Sequence, residues 1–270
     1  MDHLLDDLLE ITQAAGQTIM SFYRAAYEVT DKAPDNPVTE ADLASDTLLK
    51  RRLMALLPEA GWLSEETADN PGRLGKRYLW CVDPLDGTKE FILGIPEFTI
   101  SVALVENDSP ILAAVYNPVT QELYSAMAGQ GFFFNGELSH PSERRQLEGA
   151  FIDASRSERK KGEFAPFEEM FKLRTVGSVA YKLARVAAGQ CDATWSRGPK
   201  HEWDICAGVL LVQTAGGSVT DLDDNPCRFN KPFPKVNGIM ADNGHLHTPL
   251  VALLSQYGAA RKEAGFTYKI

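Results

Sequence analysis

The sequence predicts a layered α/β fold, and three observations carry that expectation. A long helical period opens the chain, closely spaced strands fill its middle, and strands alternate with helices through its second half. Mixed strands followed by alternating elements form packed layers rather than a closed barrel. A chain of 270 residues, 44% hydrophobic and 24% charged, has length and apolar content for a sizeable core and one or two domains.

Leu4, Leu5, Leu8, Ile11, Ala15, Ile19, Phe22 and Tyr23 recur at helical spacing, so residues 3–26 read as an amphipathic helix. Residues 31–38 are polar and hold two prolines, which makes them a loop. Thr39 can cap a second helix, with Asp42 near its positive end and Pro58 beyond its far end. Residues 61–64 read as a short strand that delivers Glu65 and Glu66, and the apolar run 78–82 as a buried strand. Strands follow over 98–105, 111–116, 122–126 and 131–134, separated by the turn signals Asn117-Pro118 and Asn135-Gly136. The polar stretch 137–148 marks a boundary between an N-terminal α+β unit, 1–148, and a C-terminal α/β unit, 149–270. In the second unit the pattern predicts strand 150–154, helices 165–172 and 178–188, strand 191–195, helix 203–215, strands 217–221 and 236–241, and helix 246–257.

The net charge of −10 argues against a nucleic-acid polymer as partner, which would need a basic face. It does not argue against a small anionic substrate, because bound cations invert the local field. Cys81, Cys191, Cys206 and Cys227 form no CxxC pair, so a zinc site is not indicated, and a reduced, cytoplasmic protein is the simple expectation. No signal peptide opens the chain, and no apolar run reaches the roughly 18–20 residues of a membrane span.

The chemistry concentrates in Asp83-Pro84-Leu85-Asp86-Gly87-Thr88, directly after the buried run. Two carboxylates three residues apart leave a strand end beside a hydroxyl, an oxygen-rich arrangement suited to Mg²⁺ shared with a substrate phosphate. An EF-hand loop wants acids at alternate positions and fails here. Haloacid-dehalogenase phosphatases place a nucleophilic aspartate two residues before the second one, and Pro84 occupies that place, so a covalent aspartyl-phosphate at this motif is excluded. Glu65-Glu66 and Asp204 compete for the same site. Taken alone, Asp204 reads first as a helix cap and Glu65-Glu66 as a solvated turn.

The motif Asp83 to Phe91, together with Trp203-Asp204-Ile205-Cys206-Ala207-Gly208, resembles the two signatures of the inositol monophosphatase superfamily. Ser64-Glu65-Glu66 and Val38-Thr39-Glu40-Ala41-Asp42 stand where that family has its remaining site residues, and the likeness spans about Leu4 to Asn243. Lys89-Glu90-Phe91, Ser155-Arg156-Ser157 and the Gly177 to Lys182 segment resemble the 3′(2′),5′-bisphosphate nucleotidase branch. The resemblance implies a layered α-β-α-β-α sandwich. It also implies Mg²⁺-dependent removal of the 3′-phosphate from adenosine 3′,5′-bisphosphate by direct attack of water, inhibited by Li⁺. Glu65, Asp83 and the Leu85 carbonyl would hold one ion, Asp83, Asp86 and Asp204 a second, and a weaker third would sit near Glu65. Asp42 and Thr88 would orient and deprotonate the attacking water. Glu65, Leu85, Asp86, Gly87, Thr88, Ser155, Gly177, Ser178, Val179, Lys182, Arg197 and Asp204 would contact substrate, and the backbone N–H groups of Gly87, Thr88 and Gly177 to Val179 would meet phosphate.

The chain departs from the pattern at two places. Glu158 stands where some nucleotidases have a histidine near the nucleotide. Arg197 stands where inositol phosphatases have a glutamate, and it is either a clamp for a second phosphate or a solvated loop charge. Lys182 is either a phosphate contact or a helix-surface lysine, and Lys32 is placed to close over the site. The readings left open are an inositol-1-phosphatase, a fructose-1,6-bisphosphatase-like sugar phosphatase, and a non-catalytic protein that binds a phosphorylated metabolite. Such a protein is a monomer or a homodimer; no interface is readable.

Overall fold

The computed structural model describes residues 2–33 and 36–263. In the first half, α1 (Asp2–Phe22) precedes the hairpin β1 (Val29–Ala33) and β2 (Asn36–Thr39), then α2 (Glu40–Leu56) and β3 (Gly61–Ser64). There follow β4 (Tyr78–Asp86), a short helix α3 (Thr88–Ile92), β5 (Thr99–Glu106), β6 (Ser109–Asn117), β7 (Glu122–Met127), β8 (Gly131–Phe134) and β9 (Glu137–Leu138). In the second half come β10 (Phe151–Ala154), α4 (Arg156–Lys160), β11 (Lys172–Thr175), α5 (Val179–Ala187) and β12 (Ala193–Ser196). The chain continues through β13 (Lys200–His201), α6 (Glu202–Ala215), β14 (Ser218–Thr220), β15 (Lys235–Val236), β16 (Ile239–Asp242) and α7 (His247–Glu263).

The first sheet runs β3-β4-β5-β6-β7-β8-β9 and the second β11-β10-β12-β16-β14. The first is antiparallel except for the β3/β4 pair. Along β4 the side chains alternate between two cores, as strand geometry requires. Trp80 and Val82 face α1 and α2, packing with Leu8, Ile19, Leu49 and Leu53. Leu79 and Cys81 face α5 and α6, packing with Leu183, Val209 and Leu211. The second sheet covers the far side of those two helices through Val219, Ile239 and Ala241. Its outer face, with Ile152, Ala193 and Trp195, is closed by Phe164, Phe167 and the α7 residues Leu250 and Leu254. The order of layers is therefore α-β-α-β-α, as the sequence led us to expect.

Most expected elements are present within a few residues, and two differ. Residues 165–172 were expected to be helical; they form a 3-10 turn at Ala165–Phe167, and the strand β11 begins at Lys172. Pro166 fits only the first turn of a helix, and Phe164, Phe167 and Phe171 reach the core without one. The loop expected at 31–38 belongs to the β1/β2 hairpin, whose residues 34 and 35 lie outside the described region. The short helices α3 and α4 carried no readable period. All four cysteines are buried and free.

The middle layer depends on one close approach. A Cβ on Gly208 of α6 would lie 2.6 Å from Leu183 Cβ of α5, so only glycine lets the two helices meet there. Gly208→Val is expected to lower unfolding free energy by about 1–3 kcal/mol through overpacking, outweighing its gain in helix propensity. Urea unfolding measures it, and unchanged stability would show that the layer is not tightly set.

Candidate active site

Four chain segments bring five acids to one place at the end of β3 and β4. Carboxylate oxygens of Glu65, Asp83 and Asp204 lie within 4.8 Å of one another. Asp83 is buried within β4, and its Oδ1 accepts the Leu85 N–H at 3.0 Å. Glu65 directly follows β3, and its N–H bonds the Val82 carbonyl at 3.3 Å, which fixes it to the neighbouring strand. Behind it, Ser64 and Thr67 both donate to Asp46 of α2. Asp204 sits in the first turn of α6, where its Oδ2 accepts the His201 N–H at 2.9 Å. It is thus a cap and a member of the cluster at once.

Asp86 joins from the other side. Its Oδ2 accepts Ser178 Oγ at 2.6 Å and the Ala180 N–H at 2.7 Å. The carboxylate therefore caps the N-terminus of α5 through one oxygen, which leaves the second oxygen for another partner. Ser178 holds a left-handed backbone, φ 56°, which is unusual for a serine and aims its hydroxyl at Asp86. Gly87 has φ 104°, and a Cβ there would also meet the Glu97 carbonyl at 3.0 Å; only glycine makes this turn from β4 into α3.

Asp42 and Thr88 form the remaining pair. Thr88 Oγ1 donates to Asp42 Oδ1 at 2.9 Å and lies 3.2 Å from the Leu85 carbonyl. The other Asp42 oxygen accepts both the N–H and the hydroxyl of Thr39, at 2.8 and 2.6 Å, in the capping box of α2. The carboxylate is held at both oxygens and faces its threonine in one orientation.

The electrostatics show the strain of this gathering. Burial raises the pKa of Asp83 well above the usual carboxylate value, reinforced by Glu65, Asp86 and Asp204. Burial likewise pushes Asp204 up to about 8, with help from Asp86 and Glu65. Asp86 and Asp42 are raised by burial too, against hydrogen bonds that favour their charged forms. Lys182, 4% exposed, is lowered chiefly by burial, and Glu158, Asp86 and Asp153 oppose the fall. A set of hard oxygen donors without histidine or cysteine suits Mg²⁺ rather than zinc.

A model of the inositol monophosphatase family matches residues 1–259. The chain belongs to the inositol monophosphatase family. It is 33% identical over 253 residues to the inositol-1-monophosphatase of Rhizobium meliloti, covering 90% of this chain and 92% of that one. It is 34% identical over 249 residues to the 3′(2′),5′-bisphosphate nucleotidase CysQ of Aggregatibacter actinomycetemcomitans, covering 87% and 90%. The solved IMPase of Thermotoga maritima superposes with a TM-score of 0.85 at 30% identity, over 95% of this chain and 98% of that one. A phosphatase family is thereby fixed, and overall identity does not separate its substrates.

The structure brings Asp42, Glu65, Asp83, Leu85, Asp86, Gly87, Thr88, Ser178 and Asp204 together, with Val179 opening the helix that Asp86 caps. Three expected contacts come out differently. The Gly177 N–H, expected at phosphate, donates to Glu97 at 2.8 Å, and a Cβ at that glycine would strike Glu90. Ser155 caps α4, accepting the Glu158 N–H at 3.4 Å. Arg197 is neither a phosphate clamp nor a solvated charge. It is 7% exposed and stacks 4.3 Å over the Tyr257 ring of α7, as packing in the outer layer. The Lys32 side chain lies outside the described residues. Sequence reasoning missed Ser178 as the partner of Asp86, Glu97 as an anchor, and Lys200, whose charge acts on both Asp204 and Lys182. Only the Gly177-Ser178 pair at a helix start carried a signal, and it pointed to phosphate instead.

The family's acids predict a pH effect. Asp204 binds its proton more tightly when folded than its ordinary value of 3.8 allows when unfolded, so metal-free protein loses stability as pH rises from about 4 through about 8. Thermal melting in chelator should show Tm falling across that window, with Mg²⁺ restoring it most at the alkaline end. A flat profile unmoved by Mg²⁺ contradicts the clustered acids.

Proposed function

We propose that the chain hydrolyses phosphomonoesters with two to three Mg²⁺ and that its substrate is adenosine 3′,5′-bisphosphate, cleaved at the 3′-phosphate. The convergence of Glu65, Asp83 and Asp204 carries the catalytic part of this reading, because the family's signature acids meet with ligand atoms within 4.8 Å. Asp83, Asp86, Asp204, Glu65 and the Leu85 carbonyl would hold the ions. When bound, such ions neutralise the phosphoryl oxygens and acidify a water for attack near neutral pH.

The protein's own part is proton handling and orientation. Thr88 Oγ1 gives its hydrogen toward Asp42, so its lone pairs face outward to accept a proton from water. Threonine alone is too weak a base, and the Asp42 carboxylate behind it is the proton's destination. The raised pKa of Asp42 brings that destination nearer to working pH. The attacking oxygen forms its bond to phosphorus as the ester P–O bond breaks. Thr39 keeps Asp42 from turning away, and Ser178 with the start of α5 keeps Asp86 in place.

The nucleotide part rests on an interlocking of three segments. Arg156, from Ser155-Arg156-Ser157, donates to Glu90 of Lys89-Glu90-Phe91 and to Glu97, both at 2.9 Å. Glu97 in turn holds Gly177, and Gly177 packs on Glu90. The features that resemble the nucleotidase branch are thus one contact surface beside Asp86, which supports reading them together. The buried Lys182 lies within the field of that carboxylate and offers a cation to a substrate anion. The CysQ relatives agree with this reading, and the inositol-1-monophosphatase relatives keep inositol-1-phosphate as its rival.

A phosphate-release assay with adenosine 3′,5′-bisphosphate, inositol-1-phosphate and fructose-1,6-bisphosphate at equal concentration decides the substrate. The expected order puts the nucleotide first, and preferred turnover of inositol phosphate overturns it. No turnover of any phosphomonoester would favour the metabolite-binding reading. Asp42→Asn and Thr88→Ala should each lower kcat about 10²–10⁴-fold with Tm little changed. Near wild-type kcat in Asp42→Asn would remove the proton relay.

A further inference from the structure

Arg73 and Glu202 are opposite charges buried where neither can touch substrate. Arg73 is 3% exposed in the 3-10 turn between β3 and β4, and Glu202 is fully buried at the start of α6. Both grip one irregular dipeptide, Asn230-Lys231. Glu202 accepts its two backbone N–H groups, at 2.7 and 3.1 Å. Arg73 donates to the Asn230 side chain at 2.8 Å and to the Lys231 carbonyl at 2.9 Å. The rest of the guanidinium is braced by both oxygens of Asp69, at 2.7 and 2.9 Å. Asn230 holds a left-handed backbone, φ 60°, within this grip.

The clamped segment leads directly to a metal ligand. The Glu202 N–H donates to the Pro234 carbonyl at 2.9 Å. Lys235 and Val236 then form β15, which pairs with β13 as His201↔Lys235 and Lys200↔Val236. The His201 N–H is the donor that holds Asp204 Oδ2. Hydrogen bonds joined by short stretches of backbone therefore connect Arg73, 131 positions earlier in the chain, to the orientation of Asp204.

We infer that Arg73 and Glu202 are positioning residues that set the affinity of the acidic cluster for its ions by fixing Asp204 through the Asn230–Val236 segment. The inference rests on the proposed Mg²⁺ reading. Arg73 and Glu202 meet through the dipeptide they share rather than as a direct ion pair, and burying two charges in this way carries a desolvation cost, so stability alone does not account for the arrangement. Groups that orient a ligand, by contrast, change metal affinity about 10–100-fold when altered.

The test uses Arg73→Lys, which keeps the charge and loses the fork, and Asn230→Gly, which keeps the backbone conformation and loses one contact. Mg²⁺ binding is followed by titration calorimetry and by the Mg²⁺-dependent rise in Tm, with the Mg²⁺ dependence of phosphate release beside them. Arg73→Lys should weaken Mg²⁺ binding about tenfold or more, Asn230→Gly by less. At saturating Mg²⁺, kcat should return to within about threefold of wild type. Leu254→Ala, in the outer layer, is the control: it should lower Tm without moving the Mg²⁺ titration. If both variants lose Tm with an unmoved titration, Arg73 is only structural and the inference is overturned. If the wild type itself fails to bind Mg²⁺, the metal reading falls first and takes this one with it.

Discussion

The constraint on which the structure depends is the repulsion among carboxylates held together out of water. Asp42, Glu65, Asp83, Asp86 and Asp204 come from four stretches of chain, and each would be better solvated alone. What holds four of them is a short hydrogen bond from the backbone: Leu85 to Asp83, Ala180 to Asp86, His201 to Asp204 and Thr39 to Asp42. Those bonds favour the charged forms, yet burial and mutual repulsion still leave the pKa values of all four raised. The site is therefore a local cost borne by the layers around it. Two apolar clusters border it, one through Ala41 and Leu85 and the other through Val179 and Ile205.

The central strand shows how covalent geometry solves the placement. Residues three apart in a regular strand point to opposite faces. Asp83 and Asp86 stand three apart and still reach one place, because the pairing of β4 with β5 slips between them. Pro84, with no N–H to give the ladder, sits in that slip, and Ser45 of α2 holds its carbonyl at 3.0 Å. Gly87 then turns the chain sharply enough to set Thr88 back over Asp42. The motif is less a list of reacting groups than one irregularity in a strand, with each member required by the next.

That geometry explains what was legible in the sequence. The layers were legible because alternating and helical periods survive in β4, α1 and α6, whose apolar residues face the cores the pattern assigns. The five acids and Thr88 were legible because they lie in two dense motifs and two shorter ones, carried by resemblance. What was not legible was direction. Arg197 reads as a loop cation, but Tyr257, sixty residues later, decides that it packs inward. Gly177 reads as a phosphate donor, but Glu97 claims its N–H. The helix expected at 165–172 failed because phenylalanines at helical spacing also fill a core from a turn and a strand. For Arg197 and Gly177 the deciding partner lies far along the chain, and a local pattern carries no trace of it.

The same distinction separates chemistry from specificity in this protein. The acids and the Asp42–Thr88 pair are anchored mainly to α2, β4 and the helix starts, and nothing in their contacts depends on which alcohol the phosphate leaves. Under the proposed reading, what would distinguish substrates is instead the contact surface of Glu90, Glu97, Arg156 and Gly177. Arg156 comes from α4 beneath the second sheet, whereas Glu90 and Glu97 flank the entry to the first. This partly exposed pair of ion pairs adds little stability by itself. Its consequence is geometric: with Glu97 also holding Gly177, it ties the start of α4 and the turn before α5 to the segment that follows Asp86. On the proposed reading, substrate choice would be tuned at that bridge while the acidic cluster stays as it is, and relatives of nearly equal identity do carry different substrate names.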